Sequence, residues 1–178
     1  MRNDMFLDGA FVWFTGVVED RRDPEEMNRC RVRCFGFHTD DKGILPTEDL
    51  PWATVMMPTT VAGTSISSAN HHLEEGSWVV GFFRDGMSAQ DPIVIGSVAA
   101  EDIPSGSSKT NKVYNSQAGH KIELENKEGD EKITVTHAKG AVITIDKDNN
   151  LSIANSGTTS INSAGEITIT SAVKTTIV

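Results

Sequence analysis

Residues 143–178 read ITIDKDNNLSIANSGTTSINSAGEITITSAVKTTIV and carry a repeat with a period of eight residues. The isoleucines that mark it are Ile145, Ile153, Ile161, Ile169 and Ile177. Asn149, Gly157 and Gly165 fall between them, and the position two residues before each isoleucine is Ile, Leu or Thr. Alternation at period two indicates short β-strands, and Gly or Asn accepts the positive φ of a tight turn. The stretch is therefore predicted to be a run of short strands separated by turns.

The period of the repeat limits how its strands assemble. A single-chain β-solenoid uses roughly 18 to 25 residues for each coil, whereas this repeat supplies about one strand and one bend. Three chains, each giving one side, would provide roughly 24 residues for each rung. We therefore expect a trimeric intertwined β-helical prism whose core is formed by the five repeating isoleucines. An ordinary antiparallel meander with the same spacing is the alternative.

The aromatic residues divide the chain into two parts. All three Trp, all seven Phe and the single Tyr lie between Phe6 and Tyr114, and the remainder is rich in Thr, Ser, Ile, Asn and Gly. The polar segment DIPSGSSKTNK, residues 102–112, is turn-prone and is typical of a linker. The pattern predicts a barrel with a short N-terminal arm over 1–101, a linker over 102–115, and a triple-stranded β-helical spike over 116–178.

Short strands are predicted throughout the first part, so the whole chain is expected to be all-β. The five predicted strands are residues 10–20, 29–38, 53–59, 77–84 and 92–99. Five short strands with a polar insertion after the third fit an OB-type Greek-key barrel, and an SH3-like barrel has a similar pattern.

The second predicted strand separates charged from apolar residues. Its alternation places Arg29, Arg31 and Arg33 on one face and Cys30, Val32 and Cys34 on the other. Because the acidic residues 19, 20 and 23 are close in sequence, we expect the arginines to pair with acids or to face a partner. The cysteines lie about 13 Å apart along a strand, too far for a disulfide bond, and are expected to be buried thiols.

The charge balance and the polar residues argue against several functions. The chain has a net charge of −9, which disfavours nucleic acid as a partner because phosphate binding requires clustered cations. No serine lies in a nucleophile elbow, and neither His71-His72 nor the acids 40 and 41 form a convincing metal site, so no catalytic residue, metal or cofactor is predicted. His120 and His137 could meet their symmetry mates on a threefold axis. No apolar run is long enough to span a membrane, and the N-terminus resembles no signal peptide, so synthesis and folding are expected in the cytosol.

Several segments together resemble a known family. They are GVVEDRRDP (16–24), RCRVRCFGFHT (29–39), ILPTEDLPWATVMMPTT (44–60), EEGSWVVGFFRDG (74–86) and DPIVIGSV (91–98). The series resembles the N-terminal OB domain of the central spike proteins of contractile phage tails. That family includes the hub lysozyme of myophage baseplates, the short baseplate assembly protein V spikes, and the VgrG proteins of type VI secretion.

This resemblance implies a structural central spike in a virion baseplate or a tail-like injection system, assembled in the host cytoplasm. It implies a separate hub protein at the OB end, for which Arg29, Arg31, Arg33 and Trp52 are the candidate contacts. It also implies a PAAR-type tip protein docked on Thr176, Ile177 and Val178, and transient contact with the target outer membrane. About 20 residues between barrel and repeat are too few for the lysozyme domain of some relatives, so no enzyme activity is expected. The alternatives are a minimal peptidoglycan-degrading tail protein and an OB-fold nucleic-acid-binding module.

Overall fold

The computed structural model describes residues 11–61, 70–99 and 107–173, and its regular structure there is almost entirely β. The chain divides into two compact units, Met1–Asp102 and Ile103–Val178. The strands of the first unit are β1 (Val12–Asp20), β2 (Cys30–Cys34), β3 (Trp52–Val55), β4 (Trp78–Phe83) and β5 (Pro92–Val98). Two short 3-10 turns, Thr47–Asp49 and Gly86–Ser88, precede β3 and β5.

The first unit is a closed five-stranded barrel with the strand order β1-β2-β3-β5-β4. Strand β1 closes it by pairing antiparallel with both β2 and β4, and β3 pairs parallel with β5. All five predicted strands are present, within a few residues of their predicted ends. The prediction of an OB-like barrel is confirmed.

Alternating side chains fill the barrel. The buried cluster comprises Phe14, Val18, Cys30, Val32, Cys34, Ala53, Leu73, Val79, Phe83 and Val94. The cysteine face of β2 therefore points inward, as predicted, and both thiols are free and buried. Burial raises the pKa of Cys30 and of Cys34 to about 12, because the interior disfavours a thiolate.

Two glycines allow β1 and β4 to approach their neighbours closely. A Cβ on Gly16 would lie 2.5 Å from the Arg33 carbonyl oxygen, and a Cβ on Gly81 would lie 2.1 Å from the Ile93 carbonyl oxygen. Both distances are far below van der Waals contact. Only residues without a side chain fit at these crossings, so the barrel closes tightly there.

The second unit contains a five-stranded antiparallel meander in which each strand pairs with the next. Its strands are β6 (Asn111–Asn115), β7 (Lys121–Glu125), β8 (Lys132–Thr136), β9 (Val142–Ile145) and β10 (Leu151–Ala154). The turns between them have Gly119, Gly129, Gly140 and Asn149 at positive φ. Residues 111–115, which the sequence analysis places in the linker, form β6 and pair with β7 along their full length.

The start of the eight-residue repeat also differs from the predicted prism. In this single chain, β9 and β10 form a hairpin that pairs Ile145 with Leu151 and Ile143 with Ile153, so the meander alternative describes the repeat as far as Ala154. No strand is assigned in residues 155–173, where every side chain is exposed. A β-helical rung built from three chains cannot form in one chain, and one chain can satisfy its backbone groups only by local pairing or by water. Ile177, together with Thr176 and Val178, lies outside the described residues.

Candidate functional surfaces

Arg33 is buried in an ion pair on the outer side of β2. Its guanidinium donates to the two carboxylate oxygens of Glu19 at 2.9 and 3.1 Å and to the Leu45 carbonyl oxygen at 2.9 Å. The Thr47 hydroxyl and the Lys42 ammonium also contact Glu19, at 2.7 and 3.0 Å. The side chains of Arg33 and Glu19 are only 4% and 8% exposed. The Arg33 hydrogen bond is the main reason that the pKa of Glu19 falls from 4.5 to about 2.

The other two arginines of the row stay nearer the surface. Arg29 donates to both carboxylate oxygens of Asp23, at 2.9 and 2.7 Å, which lowers the pKa of Asp23 and raises that of Arg29. Arg31 stacks on the Trp52 ring at 4.5 Å from its centroid and donates to the Thr47 carbonyl oxygen at 2.9 Å. The arginine row is thus largely engaged within the chain.

These contacts determine which residues of the predicted hub surface are accessible to a partner. Arg33 is inaccessible to a partner in this chain, and Arg29 is already neutralised by Asp23. The contact role of Arg29, Arg31 and Trp52 remains a prediction, with the Trp52 ring and the stacked Arg31 as its accessible part.

A second surface was missed by the sequence analysis. The outer side of β1, β4 and β5 carries three cross-strand rows: Trp13–Phe82–Ile93, Thr15–Val80–Gly96 and Val17–Trp78–Val98. Phe11 stacks on Phe82 with ring centroids 4.7 Å apart, and Phe35 meets Trp78 edge-on at 5.4 Å. These eleven positions, which we call the aromatic face, contain no charged side chain. The alternation in the sequence indicated which side chains point outward but not that so many aromatics share one face.

In the second unit, one side of the meander is apolar and exposed. Two cross-strand rows form this side, and we call their nine apolar residues the apolar sheet face: Tyr114–Ile122–Val135–Ile143–Ile153 and Leu124–Ile133–Ile145–Leu151. Lys112 pairs with Leu124 and ends the second row. These nine side chains are 38% to 71% exposed. The area left open is on the order of 700 Å², if a fully exposed side chain of this kind presents about 150 Å². Such an area is above the usual range for the largest apolar patch of a monomer.

The opposite side of the same sheet is mainly polar, apart from Val113 and Val142, and its side chains are less exposed. Glu123 is only 14% exposed, accepts hydrogen bonds from Lys121 at 2.8 Å and from Asn111 at 2.7 Å, and has a lowered pKa mainly because of Lys121. The neighbouring threonines Thr134 and Thr144 lie on this side as well. In this single chain, the polar side chains of the sheet are thus less exposed than the apolar ones, whereas in a folded monomer the apolar side chains are usually the less exposed.

His120 and His137 lie next to each other in the second unit. His120 and His137 contact each other within one chain, with ring centroids 4.5 Å apart. Each accepts a backbone N–H through its Nδ1 atom, from Ala138 at 3.3 Å and from Lys139 at 3.1 Å. Within residues 11–61, 70–99 and 107–173, no three His, Cys, Asp or Glu residues lie close enough to hold a metal ion.

His71 is half-buried in the first unit. Its Nδ1 atom accepts the Leu73 N–H at 3.2 Å, and burial lowers its pKa. Among the described residues, no helix has the length and apolar character needed to cross a membrane.

The barrel and its strand order place the first unit in the OB-like class of all-β proteins. Residues 36–166 match the family described as the Gp5 N-terminal OB domain. This match covers well over half of the 178 residues, and the chain belongs to that family.

Two phage proteins are similar to the chain. It is 43% identical over 110 residues to Protein Gp5 of Vibrio phage KVP40, an alignment that covers 58% of this chain and 26% of that protein. It is also 43% identical over 79 residues to the pre-baseplate central spike protein Gp5 of Enterobacteria phage T4, which covers 41% of this chain and 14% of that protein. The chain therefore spans about a quarter or less of these relatives.

Proposed function

We propose that the chain is a structural central spike of a contractile phage tail or a tail-like injection system, working as a homotrimer. The observation that carries this proposal is the apolar sheet face, which is exposed in one chain and directly continues into the eight-residue repeat. Ile145 and Ile153, the first two isoleucines of the repeat, are members of its two rows. An apolar face of this size is expected to be buried against another surface, and the same faces of two further chains around a threefold axis provide that surface.

Burial of that face would be a large stabilising contribution. At about 25 cal/mol for each Å², covering some 700 Å² contributes at most on the order of 15 kcal/mol per chain. The residues that follow, 155–173, extend the pattern: Ile161 is 72% exposed and Ile169 is 68% exposed. In the proposed trimer, these segments wind around one another and bury the isoleucines on the axis. Closed backbone ladders around a dry core give the kinetic stability that transmission of force requires.

The assignment to a baseplate is supported by the relatives. The protein of phage T4 to which the chain is similar is described as a pre-baseplate central spike protein. By analogy, this chain would occupy the virion baseplate, with a separate hub protein at the barrel and a PAAR-type tip protein beyond the repeat. The spike would pierce the outer membrane by mechanical force and catalyse no reaction.

A pair of substitutions in the repeat tests the proposed trimer. Ile161→Asp would place three like charges around one axis in a dry core and should abolish assembly. Ser160→Asp adds the same charge at the neighbouring residue, which the alternation places on the outer side, and should leave assembly intact. Unheated samples run on an SDS gel report the result.

The proposal requires a trimer band that resists SDS for the wild type and for Ser160→Asp, and a monomer band for Ile161→Asp. Equal behaviour of the two variants would show that the repeat is not buried, and the spike proposal would then fail.

A further inference from the structure

The aromatic face of the barrel has no cover in the single chain. Phe11 and Trp13 are 50% and 53% exposed, Trp78 is 43% exposed, and Phe35 is 38% exposed. Trp and Phe side chains dominate the energetics of protein interfaces when they are desolvated together. Because 23% of the residues of this chain are charged, a three-stranded surface without charge is unusual for it.

The size of the aromatic face limits what can cover it. Four rings that are about half exposed present on the order of 350 Å², if each has roughly 200 Å² to bury. A stable complex between free proteins usually buries about 800 Å² on each partner. The face is therefore too small to hold a free partner by itself, but it is large enough for a contact between groups that are already held together.

The proposed trimer would hold the barrels together in this way. Only residues 99–110 connect β5 to β6, and a segment of this length spans at most about 40 Å when fully extended. Three barrels tethered by such segments have effective concentrations in the millimolar range for one another.

Charge also favours the aromatic face over the other outer surfaces of the barrel as the place where copies of the chain meet. Each chain carries a net charge of −9, so copies repel one another wherever charged surfaces meet. Of the outer surfaces of the barrel, the aromatic face avoids this repulsion, whereas the outer side of β2 carries the arginine and glutamate network.

We propose that the aromatic faces of the three barrels pack against one another around the axis of the trimer. This contact rests on the proposed function, because the tethering depends on the trimer. It gives the assembly a second interface, separate from the repeat and made by the first unit. Trp13 and Trp78, about 13 Å apart along the strands, are its two anchors.

Tryptophan fluorescence tests this contact in the full-length chain. Two of the three tryptophans lie on the aromatic face, and Trp52 lies elsewhere on the barrel. Acrylamide quenching should be roughly twofold stronger in the monomeric Ile161→Asp variant than in the wild-type trimer, since two tryptophans lose their exposure in the contact. Light scattering gives the mass of each sample, and near-UV circular dichroism verifies that the barrel is folded.

A second pair of variants keeps the test independent of Ile161. Trp13→Lys should retain the mass of a trimer but sediment more slowly, because the charged barrels separate. Met87→Lys makes the same change of charge at a residue that is 77% exposed outside the aromatic face, and it should sediment as the wild type does.

The outcomes separate the two proposals. A wild-type trimer whose tryptophans are quenched as strongly as those of the monomer, or whose sedimentation is unchanged by Trp13→Lys, would overturn the barrel contact and leave the spike intact. A wild-type monomer would instead contradict the spike.

Discussion

The ion pair between Arg33 and Glu19 should be a main source of stability for the barrel. Replacing Arg33 by Met preserves most of the side-chain length but leaves the Glu19 carboxylate buried with only Lys42 and Thr47 as partners. The environment lowers the pKa of Glu19 from 4.5 to about 2, and the hydrogen bond from Arg33 is the largest cause. At 1.36 kcal/mol for each pKa unit, this shift corresponds to about 3 kcal/mol of preference for the ionised form.

We therefore expect Arg33→Met to lower the free energy of unfolding by up to about 3 kcal/mol, the lower end of the range for a broken buried ion pair, since Lys42 and Thr47 still contact Glu19. Urea unfolding at pH 7, followed by tryptophan fluorescence, measures this in the barrel, since all three Trp residues belong to the first unit. The double variant Glu19→Gln/Arg33→Met controls for packing and should cost less than the sum of the two single changes.

The contribution of the Arg33–Glu19 pair to the free energy of unfolding should also depend on pH. Because the pKa of Glu19 is lower in the folded chain than in the unfolded chain, its contribution is complete above about pH 4.5 and is lost as the pH falls toward 2. Arg33→Met should flatten this loss. A cost below about 1 kcal/mol at pH 7, typical of an exposed pair, together with an unchanged acid profile would refute the reasoning.

Two further predictions concern the interior of the barrel. Gly81→Ala should destabilise the barrel by about 3 kcal/mol or more, because the new methyl group would lie 2.1 Å from the Ile93 carbonyl oxygen. Gly96→Ala, which has open space around its Cβ, should cost under about 1 kcal/mol in the same urea assay. Equal costs for the two variants would contradict the tight closure of the barrel. Burial raises the pKa of Cys30 and of Cys34 to about 12, so both thiols should resist iodoacetamide at pH 8 in the folded chain and react only as the barrel unfolds. Mass spectrometry measures the extent of labelling. Rapid labelling of the native chain would contradict the buried position of the thiols.

Local pattern was sufficient to predict the barrel. Strand β2 is the clearest case, since strict alternation of Arg with Cys and Val determined which side faces the core. The same alternation treated Arg29, Arg31 and Arg33 as equivalent. Only the chain around Leu45 and Thr47, which contacts β2 from far along the sequence, makes Arg33 buried and leaves the other two nearer the solvent.

The second unit shows where pattern is insufficient. Strand β6 reads NKVYN, and its polar residues resemble a linker until their pairing with β7 is seen. The repeat around Ile145 and Ile153 fits a hairpin and a three-chain rung equally well, because the periodicity of a sequence does not specify which strands become neighbours. The aromatic face was missed for a related reason, since it depends on the register of three strands.

The mass of the particle in solution tests the central claim most directly, because a trimer is the basis of both the spike and the barrel contact. Sedimentation equilibrium of the wild-type chain at micromolar concentration should give about 58 kDa, three times the chain mass of 19.3 kDa. A single species of 19.3 kDa under the same conditions would contradict the account.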